Sequence, residues 1–434
     1  MQPPALFGLA LLFLAREKFV APATNHPATA VASHSCAFKN SIPPILVDTK
    51  MAACSEIITS TNACEKRCGY EENYIMTTIF TYDQLFEFVH QVFSKMGCIG
   101  EHANLAAKVL LSADIRGVDS HGVARLSGYI RLWEAERINA TPNIRVVYET
   151  PSTAVVDGDA GLGLVVAPFA MQVAIEKAEK VGTGWVSVKN SNHYGIAGYH
   201  AMMALPHHMI GISMTNASAL VAPTFSVEKM LGTNPIAVAV PAGDEQPFVA
   251  DFATTTASNG KLEILQRKNA EAPAGWVQDK DGHSTTNANA LKEGGALLPL
   301  GGDREHGSHK GYALGSIVDI FSAVLSGASY GPWAPPFPAY VPMPQNMPGE
   351  GLGHFFGAMR VDAFRPKEEF MEHMDNWIRR FRSAKPAKGQ EKVLIPGDVE
   401  REMEVRRRQE GIPLLNAVVE DLKGVGDKMG VKLQ

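Results

Sequence analysis

Apolar positions from Thr81 onward recur with a helical period. Leu85, Phe88, Val89 and Val92 share one face, and Thr81 stands where an N-cap is needed. A second helix is predicted over about 101–112. A third is predicted over about 123–135, where Leu126, Ile130 and Trp133 repeat at helical spacing. Between them lies Asp114-Ile-Arg-Gly-Val-Asp-Ser-His-Gly, a polar turn with two glycines. From Ile144 the period changes. Short alternating or apolar runs at 144–148, 153–157, 184–188, 210–214, 236–240, 248–251 and 355–361 read as strands. Helices are predicted at 169–181, 368–384 and 412–422, and an apolar helix at 315–325 reads as buried. The proline-rich run Trp333-Ala-Pro-Pro-Phe-Pro-Ala-Tyr-Val-Pro reads as an ordered surface excursion. The fold class is α/β, with a mixed sheet and helical N- and C-terminal parts.

Residues 1–74 do not share this patterning. They are rich in Ala, Thr, Ser, Pro and Cys without periodicity, and form a non-core N-terminal extension. The run Ala5-Leu-Phe-Gly-Leu-Ala-Leu-Leu-Phe-Leu-Ala has the length of a signal-peptide core, but Arg16 and Lys18 follow it rather than precede it. A targeting segment and an inaccurate gene start both fit. No run of 18 apolar residues occurs, so no membrane span is expected. The formal net charge of -5 gives no broad basic face for nucleic acid. Four of five cysteines (Cys36, Cys54, Cys64, Cys68) lie in the extension, and only Cys98 lies in the patterned region. The Cys64/Cys68 pair lacks a second pair nearby, so no metal site is expected. A main body without disulfides suits a reducing compartment, and a cytoplasmic location is expected, with organelle or secretory targeting left open by the extension. Asn216-Ala-Ser218 is a glycosylation acceptor placed where the chain should be packed, which disfavours the secretory route.

The nearest approach to a G-x-G-x-x-G fingerprint is Gly161-Leu-Gly163-Leu-Val-Val166, where valine replaces the third glycine. It reads as a tight turn into a helix. The polar segment at 114–125 holds more chemistry. If a helix starts near Ser120, His121 and Arg125 project from one face at its N-terminal end. A guanidinium can grip a carboxylate with two parallel hydrogen bonds, and an imidazole can pass a proton to or from a carbinol oxygen. That pairing suits a small anionic 2-hydroxy or 2-keto acid. A capped helix end with a surface Asp119–Arg125 ion pair fits the same spacing. A second polar cluster, Lys189-Asn-Ser-Asn-His193-Tyr-Gly, follows directly on a strand. It is either a site at a strand end or a structural histidine with its partners.

Six segments in order carry a resemblance: residues 113–125, Lys189 to Tyr199, Leu231-Gly-Thr-Asn-Pro-Ile-Ala-Val-Ala-Val-Pro241, Phe248 to Thr255, Ser308-His-Lys-Gly-Tyr-Ala-Leu314 and Ile395-Pro-Gly-Asp398. Together they are similar to the type-2 malate/L-lactate dehydrogenase family, which also holds ureidoglycolate, sulfolactate and diketogulonate oxidoreductases and a cyclic-imine reductase. The resemblance spans about 76–434 and implies NAD(P) binding on a non-Rossmann fold, commonly in a homodimer. It implies a catalytic region over 75–434, with 75–140 and the C-terminal helices as a helical part and about 141–365 holding the cofactor. Malate or L-lactate is the first substrate assignment; a cyclic imine or sugar keto acid, or an inactive binding relative, is the alternative. By the resemblance, Arg125 holds the substrate carboxylate, and His121 and His193 each match an acid/base histidine. Which of the two carries the proton stays open. Val249, Ala250, Asp251, Phe252, Ala253, Thr254 and Thr255 match a segment around the cofactor, His309 and Lys310 a pair that contacts it, and Gly397 and Asp398 a loop that closes over it. NAD is expected, with NADP as the alternative, because Asp398 could accept from a ribose hydroxyl. Two departures stand out: Thr224-Phe-Ser226 replaces a Gly-Gly pair of many members, and the proline-rich stretch 332–348 is longer than in several relatives.

Overall fold

The computed structural model describes residues 77–434; the expected extension at 1–74 lies outside the described residues. The chain opens with β1 (Thr77–Phe80) and α1 (Tyr82–Lys95). Thr81 caps α1 in a capping box with Gln84, so the first turn has side-chain partners for its free N–H groups. The second helix, α2, is Gly100–Ile115, and α3 is Leu126–Glu134. Near the C-terminus come α8 (Lys367–Arg382), α9 (Asp398–Glu410), β12 (Ile412–Leu415) and α10 (Asn416–Met429). The helical layer is built from both ends of this region. Leu85, Phe93, Leu110, Leu126, Tyr129 and Leu422 share one buried cluster.

Two sequence expectations fail here. Residues 412–415 are a strand, not a helix start, and pair antiparallel with β1. Ile412 and Leu414 point inward while Pro413 is exposed, a strand alternation that tolerates proline because the ribbon has only two strands. The helix α9 has no counterpart in the hydrophobic pattern. Its sequence, Asp-Val-Glu-Arg-Glu-Met-Glu-Val-Arg-Arg-Arg-Gln-Glu, has no apolar stripe, and Arg407 is its one buried residue.

The middle of the chain forms a seven-stranded sheet in the order β2-β3-β4-β11-β5-β6-β7. These strands are Arg145–Glu149, Thr153–Asp157, Thr183–Ser191, Leu352–Arg360, Met209–Thr215, Ile236–Val240 and Phe248–Phe252. Only β3 and β4 run parallel, joined by the crossover helix α4 (Gly163–Val181). Glycines let helices lie close: a Cβ on Gly184 would sit 1.9 Å from the Ala174 carbonyl, so α4 seats directly on β4. A Cβ on Gly163 would sit 2.1 Å from the Asn192 carbonyl and 2.5 Å from that of His193. The G-x-G turn is thus a packing device beneath the His193 strand end. The short helix α5 (Ala197–Met202) follows that strand end. A lobe of α6 (Asn259–Arg267) and the short strands β8 (Val277–Gln278), β9 (Ser284–Thr285) and β10 (Ala296–Leu297) packs around Leu262, Val277 and Leu297.

The apolar helix expected at 315–325 is α7 (Ser308–Asp319) running into a wider π turn at Ile320–Val324. It is not buried as expected: Ile317, Ile320, Phe321, Val324 and Leu325 are all exposed. Among the described residues no helix is long and apolar enough to cross a membrane. Asn216 is sealed in the sheet, donating to Ser329 O (2.8 Å) and accepting from Gly353 N–H (2.9 Å), so the glycosylation acceptor is packed.

Candidate active site

The segment between α2 and α3 is not the helix start expected from its spacing. It is two single 3₁₀ turns, Asp119–His121 and Val123–Arg125, hinged at Gly122. The hinge must be glycine, because a Cβ there would lie 2.1 Å from an Asp114 carboxyl oxygen. The buried Asp114 side chain accepts from Val123 N–H at 2.8 Å and so closes the turn. Burial pushes this carboxyl up to about 8, and its Oδ1 has no partner. Asp119 does not pair with Arg125. It pairs with Arg407 of α9, whose buried guanidinium also donates to the Asp114 carbonyl. The long-range partner wins because it already lies inside the protein. Arg125 is left to donate from Nε to the Ser120 carbonyl at 2.6 Å, with no carboxylate partner among the described residues.

Two histidines meet here. The His121 and His193 rings stack with centroids 5.7 Å apart at 24°. Ser120 Oγ lies 2.9 Å from His121 Nδ1. The Tyr129 hydroxyl lies 2.6 Å from His193 Nδ1. Gly195 N–H is 3.4 Å from the same atom, at the long end of the range, so Tyr129 is the dominant partner. Burial, then the Arg125 charge, push His121 down to about 4. Burial, then His121 and Arg125, hold His193 well below its ordinary value. Arg125 therefore stands close enough to bias both imidazoles toward the neutral form. The ring of Phe337 adds an apolar surface, 5.0 Å from His193 and 5.5 Å from Tyr129. The proline-rich stretch is therefore not merely a surface excursion; it delivers a ring to this site.

Sequence reasoning missed Tyr129, Phe337 and the Asp114–Arg407 support. Tyr129 had a signal, since it follows Arg125 by four residues and His121 by eight, at helical spacing. Phe337 and Arg407 had none, because Phe337 lies 144 positions beyond His193 and Arg407 lies 288 beyond Asp119.

The expected cofactor segments also gather. In β7, Val249 N–H donates to Pro396 O at 3.0 Å, and a Cβ on Gly397 would lie 3.1 Å from Val249. Ala250 pairs with Val238 in β6. Asp251 Oδ2 accepts from Gly198 N–H of α5 at 2.7 Å. Phe252 is exposed and Ala253 half-buried. Thr254 donates to the Thr233 and Asn234 carbonyls, each at 3.1 Å, and Thr255 to Ala257 O at 2.8 Å. The chain then passes the 119–125 segment, where a Cβ on Gly260 would lie 3.0 Å from Ser120 Cβ. Leu300 N–H donates to Thr254 O at 2.9 Å, and Gly311 of α7 packs on Leu300, which ties the start of α7 to this segment. There His309 Nδ1 lies 2.9 Å from Arg304, and Lys310 is exposed without an ion pair among the described residues. An unpaired lysine in the first turn of a helix has the charge to meet a phosphate oxygen of a dinucleotide. Asp398 is already engaged: Oδ1 takes Arg401 at 2.6 Å and Arg382 at 3.3 Å, and Oδ2 accepts from Ile395 N–H at 2.8 Å. Burial alone would raise its pKa; these donors outweigh it and hold the carboxyl below its ordinary value. Among the described residues no cluster suits a metal ion.

Comparison with known proteins accounts for nearly all of the described region. The malate/L-lactate dehydrogenase family profile matches residues 80–423. The chain belongs to the malate/L-lactate dehydrogenase family. A malate dehydrogenase of Pyrococcus horikoshii is 43% identical over 366 residues, covering 84% of this chain and 98% of that protein. An L-sulfolactate dehydrogenase of Methanocaldococcus jannaschii is 38% identical over 351 residues, covering 80% and 96%. The crystal structure of malate dehydrogenase from Entamoeba histolytica superposes with a TM-score of 0.76 at 34% identity, covering 82% of this chain and 99% of the other. Family members are dehydrogenases acting on hydroxy acids, and this chain is an enzyme of that type. The family's mixed α/β fold explains the missing Rossmann fingerprint, since no doubly wound parallel sheet is present among the described residues.

Proposed function

We propose that this chain interconverts a small 2-hydroxy acid and its 2-keto acid with NAD(P), malate or L-lactate being the first assignment. One observation carries the reading: a carboxylate-free Arg125 stands beside two stacked, neutral-biased imidazoles, one of them held through Nδ1 by Tyr129. Arg125 grips the substrate carboxylate. His193 transfers the proton at Nε2. As base it keeps its proton on Nδ1, and as acid it is protonated on both nitrogens. In both states Nδ1–H donates to the Tyr129 oxygen, so one contact holds the ring for both directions. His121, stacked alongside, orients the same oxygen. A bound nicotinamide would supply the hydride chemistry at the carbinol carbon. Val249 to Thr255, His309, Lys310, Gly397 and Asp398 would hold the dinucleotide, with Lys310 on a phosphate.

NAD remains the first assignment through Asp398, although Arg382 and Arg401 already offset its charge. Equal kcat/KM with NADPH and NADH refutes the preference. The exposed Ile317, Ile320, Phe321, Val324 and Leu325 form a continuous apolar face that suits a second copy of the chain, supporting a homodimer. Cysteine usage supports a cytoplasmic location. Steady-state reduction of pyruvate and oxaloacetate with NADH tests the reaction; turnover of neither, with either cofactor, overturns it.

A further inference from the structure

The carbinol carbon of a 2-hydroxy acid has four substituents. On the function proposed above, the oxygen goes to His193, the carboxylate to Arg125, and the hydrogen leaves as hydride. The fourth, the third-carbon group, needs a wall of its own. Three rings surround His193: His121, Tyr129 and Phe337. The first two have polar duties, and Phe337 has none. We propose that Phe337 is that wall, and that it limits the thickness of the group at the third carbon, admitting a methyl or a flat carboxymethyl group such as that of oxaloacetate but not a branched alkyl group.

The ring is built in rather than resting on the surface. Phe337 N–H donates to Ser218 Oγ at 2.9 Å, and that hydroxyl lies 3.4 Å from Pro335 O. The Arg137 guanidinium donates to Pro336 O. The backbone of Arg137 is in turn fixed, its carbonyl accepting from Asn192, the neighbour of His193, at 3.3 Å. Pro335, Pro336 and Pro338 limit the backbone on both sides of the ring. The ring lies against Gly128 of α3, where a Cβ would come within 2.5 Å of Phe337 Cε1. The ends of the loop are pinned by Gly331 N–H to Asp319 at 2.9 Å and by Lys189 to Glu350 at 2.6 Å. A wall held at this many points cannot swing aside for a larger substrate at little cost. This inference rests on the proposed reaction.

The test is a substrate series, pyruvate, 2-ketobutyrate and 2-ketoisocaproate, reduced with NADH by wild type, F337A and F337L. Wild type should show kcat/KM falling steeply along the series. F337A should raise the 2-ketoisocaproate-to-pyruvate ratio of kcat/KM at least about tenfold, since each methylene accommodated is worth about that much. F337L, which keeps an apolar anchor for the loop, should lie between, and thermal unfolding of both variants shows that they are folded. An active wild type whose ratio is unmoved in both folded variants overturns the role of Phe337 alone. A wild type inert toward every 2-keto acid overturns the functional reading and this one with it.

Discussion

Replacing Tyr129 by Phe removes one oxygen and leaves the packing in place. The ring still meets Phe93 at 6.3 Å and Phe337 at 5.5 Å, both edge-on. What disappears is the 2.6 Å contact to His193 Nδ1. No equivalent partner remains, because Gly195 N–H is 3.4 Å away and can only donate. Without the phenol oxygen the Nδ1–H form that catalysis needs has no acceptor, and the free ring can instead carry its proton on Nε2 with Nδ1 accepting from Gly195 N–H, so the productive form is disfavoured before the reaction begins. An unsatisfied buried donor costs about 1–3 kcal/mol. In a rate that is roughly a 5- to 150-fold loss of kcat/KM, in oxidation and reduction alike. Steady-state kinetics in both directions, with thermal unfolding as the fold control, measures it. An unchanged kcat/KM in a folded Y129F enzyme refutes the assignment of His193 as the proton-transfer residue held by Tyr129.

Other consequences follow from the same geometry. Arg125→Gln should cost about 3–5 kcal/mol in transition-state stabilisation for carboxylate substrates, read from kcat/KM. It should also raise the acid limb of alcohol oxidation, because the Arg125 charge is one of the causes that lower both imidazoles. In wild type that limb should lie below the ordinary histidine range, with activity lost as pH falls and the base takes up a proton. Asp114 has its folded pKa raised to about 8, so the folded chain holds a proton that the unfolded chain has released. Its stabilising contribution is complete below the unfolded carboxyl pKa and fades as pH rises toward 8. Asp114→Asn should flatten that decline in thermal unfolding between about pH 5 and 8, and an identical pH profile contradicts it. A charge on the exposed face of the π turn, Ile320→Asp or Val324→Asp, should yield monomers by light scattering. Unaltered dimers would remove that face from the interface.

Much of the architecture was legible because it is written in local periodicity. Helix α1 with its cap and the strands of the sheet follow from residues that pack within one element. The failures share one cause. Residues 412–415 become a strand only because β1, more than three hundred positions earlier, offers its edge. Helix α9 lacks an apolar stripe and is held through polar contacts such as Arg407 with Asp119 and Arg116 with Glu404. The 315–325 helix is apolar yet exposed, which a single chain's pattern cannot distinguish from burial. At the site, His121, Arg125 and His193 were visible as polar residues beside glycines at element ends. Their partners were not: Asp119 turned to Arg407, and the ring beside His193 came from a proline-rich loop.

The central claim is that Arg125, His121 and His193 form one carboxylate-binding, proton-transferring pocket. The most direct measurement is NADH absorbance with the purified full chain and its Arg125→Gln, His121→Gln and His193→Gln variants, each supplied with pyruvate and oxaloacetate. The account predicts turnover by wild type, a large loss in Arg125→Gln and His193→Gln, and a smaller loss in His121→Gln. Full activity in folded Arg125→Gln and His193→Gln variants would contradict it.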